Sequence, residues 1–162
     1  MGWMTDESGL VKCAANFVPL TPLSHLVRAA QVFPNQTAVI HGDHRVTYAE
    51  YHERCTRLAA LLAAIGVAPG DVVATLIPNL PAQAEAHFGV PACGAVLNTI
   101  NIRLDPGTVA YILDHGGAKV LLVDTEFLPL AEEACARVEG TCPATIGGPE
   151  PGAGCASAPR PP

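Results

Sequence analysis

The chain has 162 residues, of which 49% are hydrophobic and 15% are charged, and its formal net charge is −6. This composition is apolar enough to build a core and too apolar for a natively disordered chain, and a negative net charge is not the basic footprint of a nucleic-acid-binding protein. The longest apolar run, residues 58–68, is far shorter than the ~20 residues that a membrane span requires, so we expect neither a nucleic-acid partner nor a membrane span.

Residues 1–18 show no hydrophobic period, and they carry acidic residues where a secretory signal carries basic ones. We therefore expect a flexible lead over residues 1–18 and a cytoplasmic protein. Six cysteines are present without a C-x-x-C pair. Free thiols are favoured over a disulfide framework, because several of these cysteines lie in predicted helices among small apolar neighbours.

Two helices and a hairpin are predicted in the first half of the chain. The Thr21-Pro22 pair is typical of a helix start, and Pro34 ends this helix. Two short β-branched runs on either side of Gly42-Asp43 predict a hairpin. The sequence TYAE at 47–50 is a capping box, and apolar residues at helical spacing behind it predict a long helix that ends with Gly66 in a left-handed conformation.

Strands and helices alternate in the second half. Residues 71–77 are a nearly continuous apolar run, which is typical of a strand buried on both faces in a parallel sheet. A helix is predicted from about Pro81, with a kink or break near Pro91. The remaining predicted elements are strands at 95–100 and 119–124 and helices at 105–115 and 128–138. This alternation predicts an α/β fold with a mostly parallel βαβ sheet.

The composition changes at Gly140. From there to residue 162 the chain is rich in Pro and Gly, and Ile146 is its one large aliphatic residue. Such a segment buries too little apolar surface to offset its ordering entropy. We therefore predict a partial domain over residues 19–139 and a disordered tail over residues 140–162. The fold looks interrupted, and the Ala/Gly/Pro/Arg-rich tail is typical of a frameshift in GC-rich coding DNA.

Four polar residues lie at the ends of predicted strands or just beyond them, where open α/β sheets tend to bind ligands. They are Asn79, Asn98, Asn101 and Arg103. One interpretation is the wall of an acyl or nucleotide cleft. The other, which is favoured because asparagine is common in loops, is turn hydrogen bonding, with Arg103 packed on the sheet edge and Asn79 capping the next helix.

Other motifs do not predict a site. The sequence HGDH at 41–44 holds two histidines and an aspartate around a turn, but zinc sites need three or four defined ligands and a solvent-exposed hairpin explains the residues. No G-x-G-x-x-G is present, so a Rossmann dinucleotide site has no support. We predict no metal-ligating residue.

Three motifs carry a family resemblance by their order and spacing. They are TYAE at 47–50, GVAPGDVVA at 66–74 and GAVLNTINIRL at 94–104. Over roughly residues 16–139 the chain resembles the N-terminal end of the AMP-forming acyl-CoA synthetases, the adenylate-forming superfamily, and within it the medium-chain or general fatty-acid–CoA ligases. The resemblance therefore implies that the sheet is part of the large domain of that superfamily.

The resemblance also implies a reaction. In the full-length family, a fatty acid attacks ATP with Mg²⁺ present to give an acyl-adenylate, and coenzyme A then displaces AMP. Holding a triphosphate requires a flexible Gly/Ser/Thr loop with a lysine. This chain has two lysines, Lys12 in the lead and Lys119 at the start of a strand, and the Thr/Gly cluster at 140–148 has none.

No catalytic or cofactor-binding residue is therefore carried over to this chain. We expect a fragment of a fatty-acid–CoA ligase that is inactive alone and binds no cofactor alone. The alternatives are a pseudogene product, a non-catalytic interaction module that self-associates through an exposed sheet edge, and a free-standing flavodoxin-like nucleotide binder.

Overall fold

The computed structural model describes residue 13, residues 17–18 and residues 21–148. Helix α1 (Pro22–Val32) is followed by the antiparallel hairpin of β1 (Thr37–His41) and β2 (His44–Thr47), and then by the long helix α2 (Tyr48–Ala64). A small core joins these elements, formed by Leu26, Val46, Tyr51 and Cys55. The predicted helix–hairpin–helix order is confirmed.

A four-stranded sheet is the centre of the fold. Its strands are β3 (Val72–Leu76), β4 (Val96–Thr99), β5 (Ala118–Asp124) and β6 (Ala144–Gly148). The order across the sheet is β4-β3-β5-β6, and every neighbouring pair is parallel. The connecting elements are α3 (Pro81–Ala92), α4 (Pro106–His115), a 3₁₀ turn (Thr125–Phe127) and α5 (Leu128–Cys135). The predicted α/β fold with a parallel sheet is confirmed.

Helices cover both faces of this sheet, which explains why β3 and β5 are nearly continuous apolar runs. On one face, Leu76 and Leu121 pack against Leu113 of α4 and the alanines of α5. On the other face, Val73 and Val120 pack against residues of α2 and α3. Each fully buried Leu or Val stabilises the fold by roughly 1.5–3 kcal/mol relative to exposure.

Local signals set the ends of the helices. The capping box is formed in full, because the Thr47 side chain accepts from the amide of Glu50 and the Glu50 carboxylate accepts from the amide of Thr47. Gly66 adopts φ +90° after α2, as predicted. Helix α3 includes Pro91 and ends at Ala92, and Gly94 then adopts φ +81°. Helix α5 ends at Cys135, three residues earlier than the predicted limit of 138.

The prediction of a disordered tail from residue 140 is wrong for Ala144–Gly148. These residues form β6, which pairs in parallel with β5 from Val120↔Ala144 to Asp124↔Gly148. Composition alone missed this strand because its hydrogen bonds are made to a distant buried strand, and because Ile146 packs against the core on the α2–α3 face. Residues 149–162 of the predicted tail, and most of the predicted lead over 1–18, lie outside the described residues.

Cys55, Cys93, Cys135 and Cys142 of the described part of the chain are free thiols. Cys55 is buried in the small core, and this burial raises the pKa of its thiol to about 12. No helix in the described part of the chain is long and apolar enough to cross a membrane.

Candidate functional site

A cavity opens where β3 and β4 end. Because these strands are parallel and adjacent, with Thr75 paired to Thr99, the loops that follow them meet at one edge of the sheet. The cavity has a volume of about 520 Å³. Its lining consists of Ile77, Pro78, Asn79, Gln83, His87, Thr99, Ile100, Asn101, Ile102 and Arg103. We call it the polar cavity.

Three of the four predicted site residues line the polar cavity. The side chain of Asn101 accepts a hydrogen bond from the backbone amide of Arg103 at 2.9 Å, which forms the turn that presents Arg103. Arg103 is exposed and makes no ion pair with the described part of the chain. No acidic side chain of the described residues lines the cavity. An uncompensated guanidinium in such a cavity suits a carboxylate or phosphate group.

Asn79 lines the cavity without capping the helix, so the prediction that it caps α3 is wrong. The N-cap of α3 is Leu80, no side chain accepts a hydrogen bond there, and Pro81 occupies the first turn. Proline has no backbone amide, so one of the usual N-terminal donors is already absent. The positive end of the α3 dipole is therefore not covered by a side-chain acceptor at this point.

Asn98 is not part of this cavity. It precedes Thr99 in β4, and its side-chain nitrogen lies 3.0 Å from the position that a Cβ on Gly116 would occupy. Successive residues of a strand point to opposite faces, so Asn98 faces the loop between α4 and β5, on the side of the sheet that α4 covers. The structure therefore separates Asn98 from Asn79, Asn101 and Arg103.

Two residues of α3, Gln83 and His87, complete the polar cavity and were not predicted as site residues. Gln83 is only 9% exposed, and its side-chain oxygen has no hydrogen-bond partner among the described residues. Nδ1 of His87 lies 2.7 Å from the carbonyl oxygen of Gln83, one helical turn earlier. The sequence signal was helical spacing. Gln83 lies three residues before Ala86 and seven before Val90, and because these two residues face the sheet, Gln83 lies on the same side of α3.

A second, apolar cavity of about 640 Å³ lies next to the first. Asn79, Gln83 and His87 line both cavities. The rest of the apolar cavity is formed by Pro22, Val39, Ile40, His41, Tyr51, Leu80, Pro81, Ala84 and Phe88. Tyr51 donates a hydrogen bond to the carbonyl oxygen of Ala84 at 2.6 Å and meets the Phe88 ring edge-on. These contacts fix α2 against α3 at the wall of the apolar cavity.

The two features weighed for a phosphate-binding loop, Lys119 and the Thr/Gly cluster, make other contacts in the structure. No group of three potential metal-binding side chains occurs among the described residues. Lys119 begins β5 at the opposite edge of the sheet, where its ammonium group is 2.7 Å from both the Asp71 carboxylate and the Gly66 carbonyl oxygen. The Thr/Gly cluster provides β6 rather than a phosphate-binding loop.

Comparison with known proteins agrees with this architecture. The family model for AMP-binding enzymes matches residues 26–153. A peroxisomal acetate/butyrate–CoA ligase from Arabidopsis thaliana is 49% identical over 134 residues, which are 83% of this chain and 24% of that protein. A peroxisomal trans-cinnamate:CoA ligase from Petunia hybrida is 50% identical over 125 residues, 77% of this chain and 22% of that protein.

Solved structures of CoA ligases superpose on this chain. A fatty acyl-CoA synthetase from Mycobacterium tuberculosis superposes with a TM-score of 0.72 at 34% identity, over 78% of this chain and 26% of that chain. An anthranilate–CoA ligase in complex with anthranoyl-AMP superposes with a TM-score of 0.74 at 27% identity, over 84% of this chain and 27% of that chain.

These matches correct two expectations. The predicted cytoplasmic location is contradicted by the relatives, several of which are named as peroxisomal. The resemblance was expected to end near residue 139, whereas the family match continues to residue 153. The chain spans about a quarter of the length of the curated relatives that it matches, 24% and 22% for the two above.

Proposed function

We propose a function from one premise, that the chain belongs to the family of AMP-binding enzymes. We propose that it contributes part of the large domain of an ATP-dependent acid–CoA ligase, which joins a carboxylic acid first to AMP and then to coenzyme A. The observation that carries the proposal is the family match over residues 26–153. Relatives named as ligases of acetate, butyrate and cinnamate support it, and a fatty acid is the substrate that we expect.

The polar cavity is the part of this chain that we assign to the substrate cleft. Arg103 lies there without a carboxylate partner in the part of the chain that the structure describes, and Asn79 and Asn101 offer side-chain amides beside it. We propose that an anionic group of the substrate is attracted to Arg103, since charge-assisted hydrogen bonds to guanidinium groups are among the strongest in proteins. We do not assign Asn98 to the cleft, because its side chain lies beside Gly116, between α4 and β5.

We do not propose that this chain catalyses the reaction alone. Transfer to the α-phosphate of ATP requires cationic and amide groups that hold the triphosphate, and Lys119 is engaged by Asp71 at the other edge of the sheet. We propose that the groups that hold ATP, Mg²⁺ and coenzyme A in the family belong to the part of the relatives that this chain does not span. The 162-residue chain is therefore inactive alone.

Pyrophosphate exchange tests this proposal. The purified chain is incubated with ATP, Mg²⁺ and labelled pyrophosphate, together with butyrate, a medium-chain fatty acid or cinnamate. A full-length acid–CoA ligase serves as the positive control. We expect no acid-dependent exchange above a sample without protein, and clear exchange that requires both ATP and an acid would contradict the assignment of inactivity.

An interaction module is the second candidate, and it rests on the sheet edges. Strand β4 ends the sheet on one side, and Val96 in this strand is 52% exposed. Unpaired strand edges recruit partners, so the chain would self-associate through β4. Light scattering after size-exclusion chromatography decides this point. A concentration-dependent dimer that Val96→Lys abolishes supports the module, whereas a monomer at all concentrations removes it.

A further inference from the structure

The apolar cavity has no role in the proposed function. Its volume of about 640 Å³ is within the range of small-molecule pockets in proteins. Residues of α1, β1, α2 and α3 line it, together with the loop before α3. Arg103, the residue that we assign to the substrate, is not one of them. Whether this cavity takes a ligand is therefore a question separate from the acid–CoA ligase reaction.

The walls of the apolar cavity are fixed by contacts within the protein. The Tyr51 hydroxyl donates to the carbonyl oxygen of Ala84 at 2.6 Å, and the rings of Tyr51 and Phe88 meet edge-on with their centroids 5.7 Å apart. Both rings also pack in the small core beside Leu26. Binding to walls that are already ordered costs less conformational entropy, and the two rings offer aromatic contacts to a ligand.

The lining of the cavity favours a neutral ligand. Among the described residues that form it, none is an Asp, Glu, Lys or Arg. A charged molecule would lose its hydration here without meeting an opposite charge. Most of the lining is hydrocarbon, such as the side chains of Val39, Leu80 and Phe88. The cavity therefore suits a neutral molecule with a mostly apolar body.

Gln83 gives this lining one unmet hydrogen-bonding group. The residue is 9% exposed, and its side-chain oxygen has no hydrogen-bond partner in the described part of the chain. Tyr51 and His87 instead contact backbone oxygens of α3. His41 and Asn79 are exposed to water. A buried acceptor without a partner costs free energy, and rotation about the broad terminal torsion of Gln83 can turn its amide toward a molecule in the cavity.

We propose that the apolar cavity binds a neutral, aromatic molecule that carries one hydroxyl group and donates a hydrogen bond to Gln83. The hydrocarbon side chains of Val39, Leu80 and Phe88 cover its apolar body. Specificity for the hydroxyl follows because a ligand without the donor leaves the Gln83 oxygen unpaired. The inference does not rest on the proposed function, and pyrophosphate exchange can succeed or fail without affecting it.

Calorimetric titration of the 162-residue chain with three matched probes tests this site. Naphthol has a hydroxyl donor, methoxynaphthalene keeps the ring system without a donor, and naphthoate carries a negative charge. We expect naphthol to bind saturably at one site per chain and methoxynaphthalene to bind about fivefold more weakly, which corresponds to the loss of one hydrogen bond. Absence of saturable naphthol binding, equal affinity for the two neutral probes, or tighter binding of naphthoate would overturn the proposal.

Matched variants locate the site. Gln83→Leu keeps a side chain of similar size without the amide, and it is expected to bind naphthol and methoxynaphthalene equally. Ala84→Trp fills the cavity and is expected to abolish binding of both, whereas Ala60→Trp on the exposed face of α2 should bind both as the unchanged protein does. A preference for naphthol that survives in Gln83→Leu, or binding that survives in Ala84→Trp, would overturn the proposal.

A second measurement decides if a variant fails to fold, as judged by circular dichroism. Backbone amide signals of the unchanged protein are followed by nuclear magnetic resonance while naphthol is added. We expect the largest shifts at Val39 and Phe88, which line the apolar cavity. Shifts confined to residues outside this cavity would overturn the proposal.

Discussion

The Arg54 guanidinium of α2 pairs with the Glu85 carboxylate of α3, and this ion pair bridges the two helices that cover one face of the sheet. The side chain of Glu85 is 12% exposed, whereas that of Arg54 is 35% exposed. The carboxylate is thus largely removed from water and depends on the guanidinium for its compensation.

We expect Arg54→Ala to destabilise the protein by about 2–3 kcal/mol, because it leaves a mostly buried carboxylate without a partner. The matched control is Arg57→Ala on the same helix. Arg57 pairs with Glu53 at i,i+4 spacing, with 74% and 60% of the two side chains exposed, so its loss should cost less than about 1 kcal/mol. Urea denaturation measures both free energies of unfolding, and equal losses would show that the Arg54–Glu85 pair is no more important than a surface pair.

The capping box of α2 should make stability depend on pH. Hydrogen bonds from the backbone and side chain of Thr47 lower the pKa of the Glu50 carboxyl group. The folded-state pKa is below the unfolded one, so this stabilisation is fully present above the unfolded pKa, about 4.3, and is lost as the pH falls through the folded value. Urea denaturation from neutral pH to about pH 3 should show that Glu50→Gln removes part of the acid sensitivity.

Removal of the cap itself is tested with Thr47→Ala. We expect a loss of about 1 kcal/mol, because one N-terminal amide of α2 loses its acceptor. Thr56→Ala is the control, since the Thr56 hydroxyl donates to the His52 carbonyl oxygen within the same helix and caps nothing. A larger loss at Thr56 than at Thr47 would contradict the importance of the capping box.

Gly89 permits α2 and α3 to approach each other. A Cβ at this position would lie 2.7 Å from a methyl group of Leu58 and 3.0 Å from the carbonyl oxygen of Cys55. We therefore expect Gly89→Ala to destabilise the protein by about 1–3 kcal/mol through overpacking. In a double-mutant cycle, Gly89→Ala should cost less stability in a Leu58→Ala background than in the unchanged protein. Part of the loss should remain, because the contact with the Cys55 carbonyl oxygen is unaffected. Unchanged stability of Gly89→Ala would show that the two helices can move apart at little cost.

The features that could be predicted from the sequence are mainly those that depend on residues close together in the chain. The Thr47–Glu50 capping box and the turn at Gly66 depend on residues a few positions apart, and both are present. The buried run of β3 was also readable, because a strand covered on both faces needs apolar residues throughout. The same reasoning placed the loops after β3 and β4 at one edge of the sheet, where Asn79, Asn101 and Arg103 meet.

Three features of the structure that were not foreseen depend on geometry over longer distances. Asn98 was grouped with Asn101 because both flank the end of a predicted strand, but in β4 it lies next to Gly116, on the side of the sheet that α4 covers. Strand β6 has few apolar residues, and it forms because β5 offers a complete row of backbone partners about 24 residues earlier. Gln83 joins the polar cavity only because α3 packs on the sheet.

The assignment of Arg103 to the substrate cleft is tested in a chimera. The corresponding segment of a full-length acid–CoA ligase is replaced by residues 26–148 of this chain, and kcat and KM for the acid are measured. We expect Arg103→Ala to raise KM about tenfold, since the loss of one charge-assisted contact of about 1.4 kcal/mol has that effect. Arg28→Ala removes an equal charge from the exposed side of α1, and Asn98→Ala removes an amide outside the cavity, so both should leave KM within twofold. If Arg103→Ala behaves like these two controls in a chimera of unchanged melting temperature, the polar cavity is not part of the cleft, whereas the family assignment is unaffected.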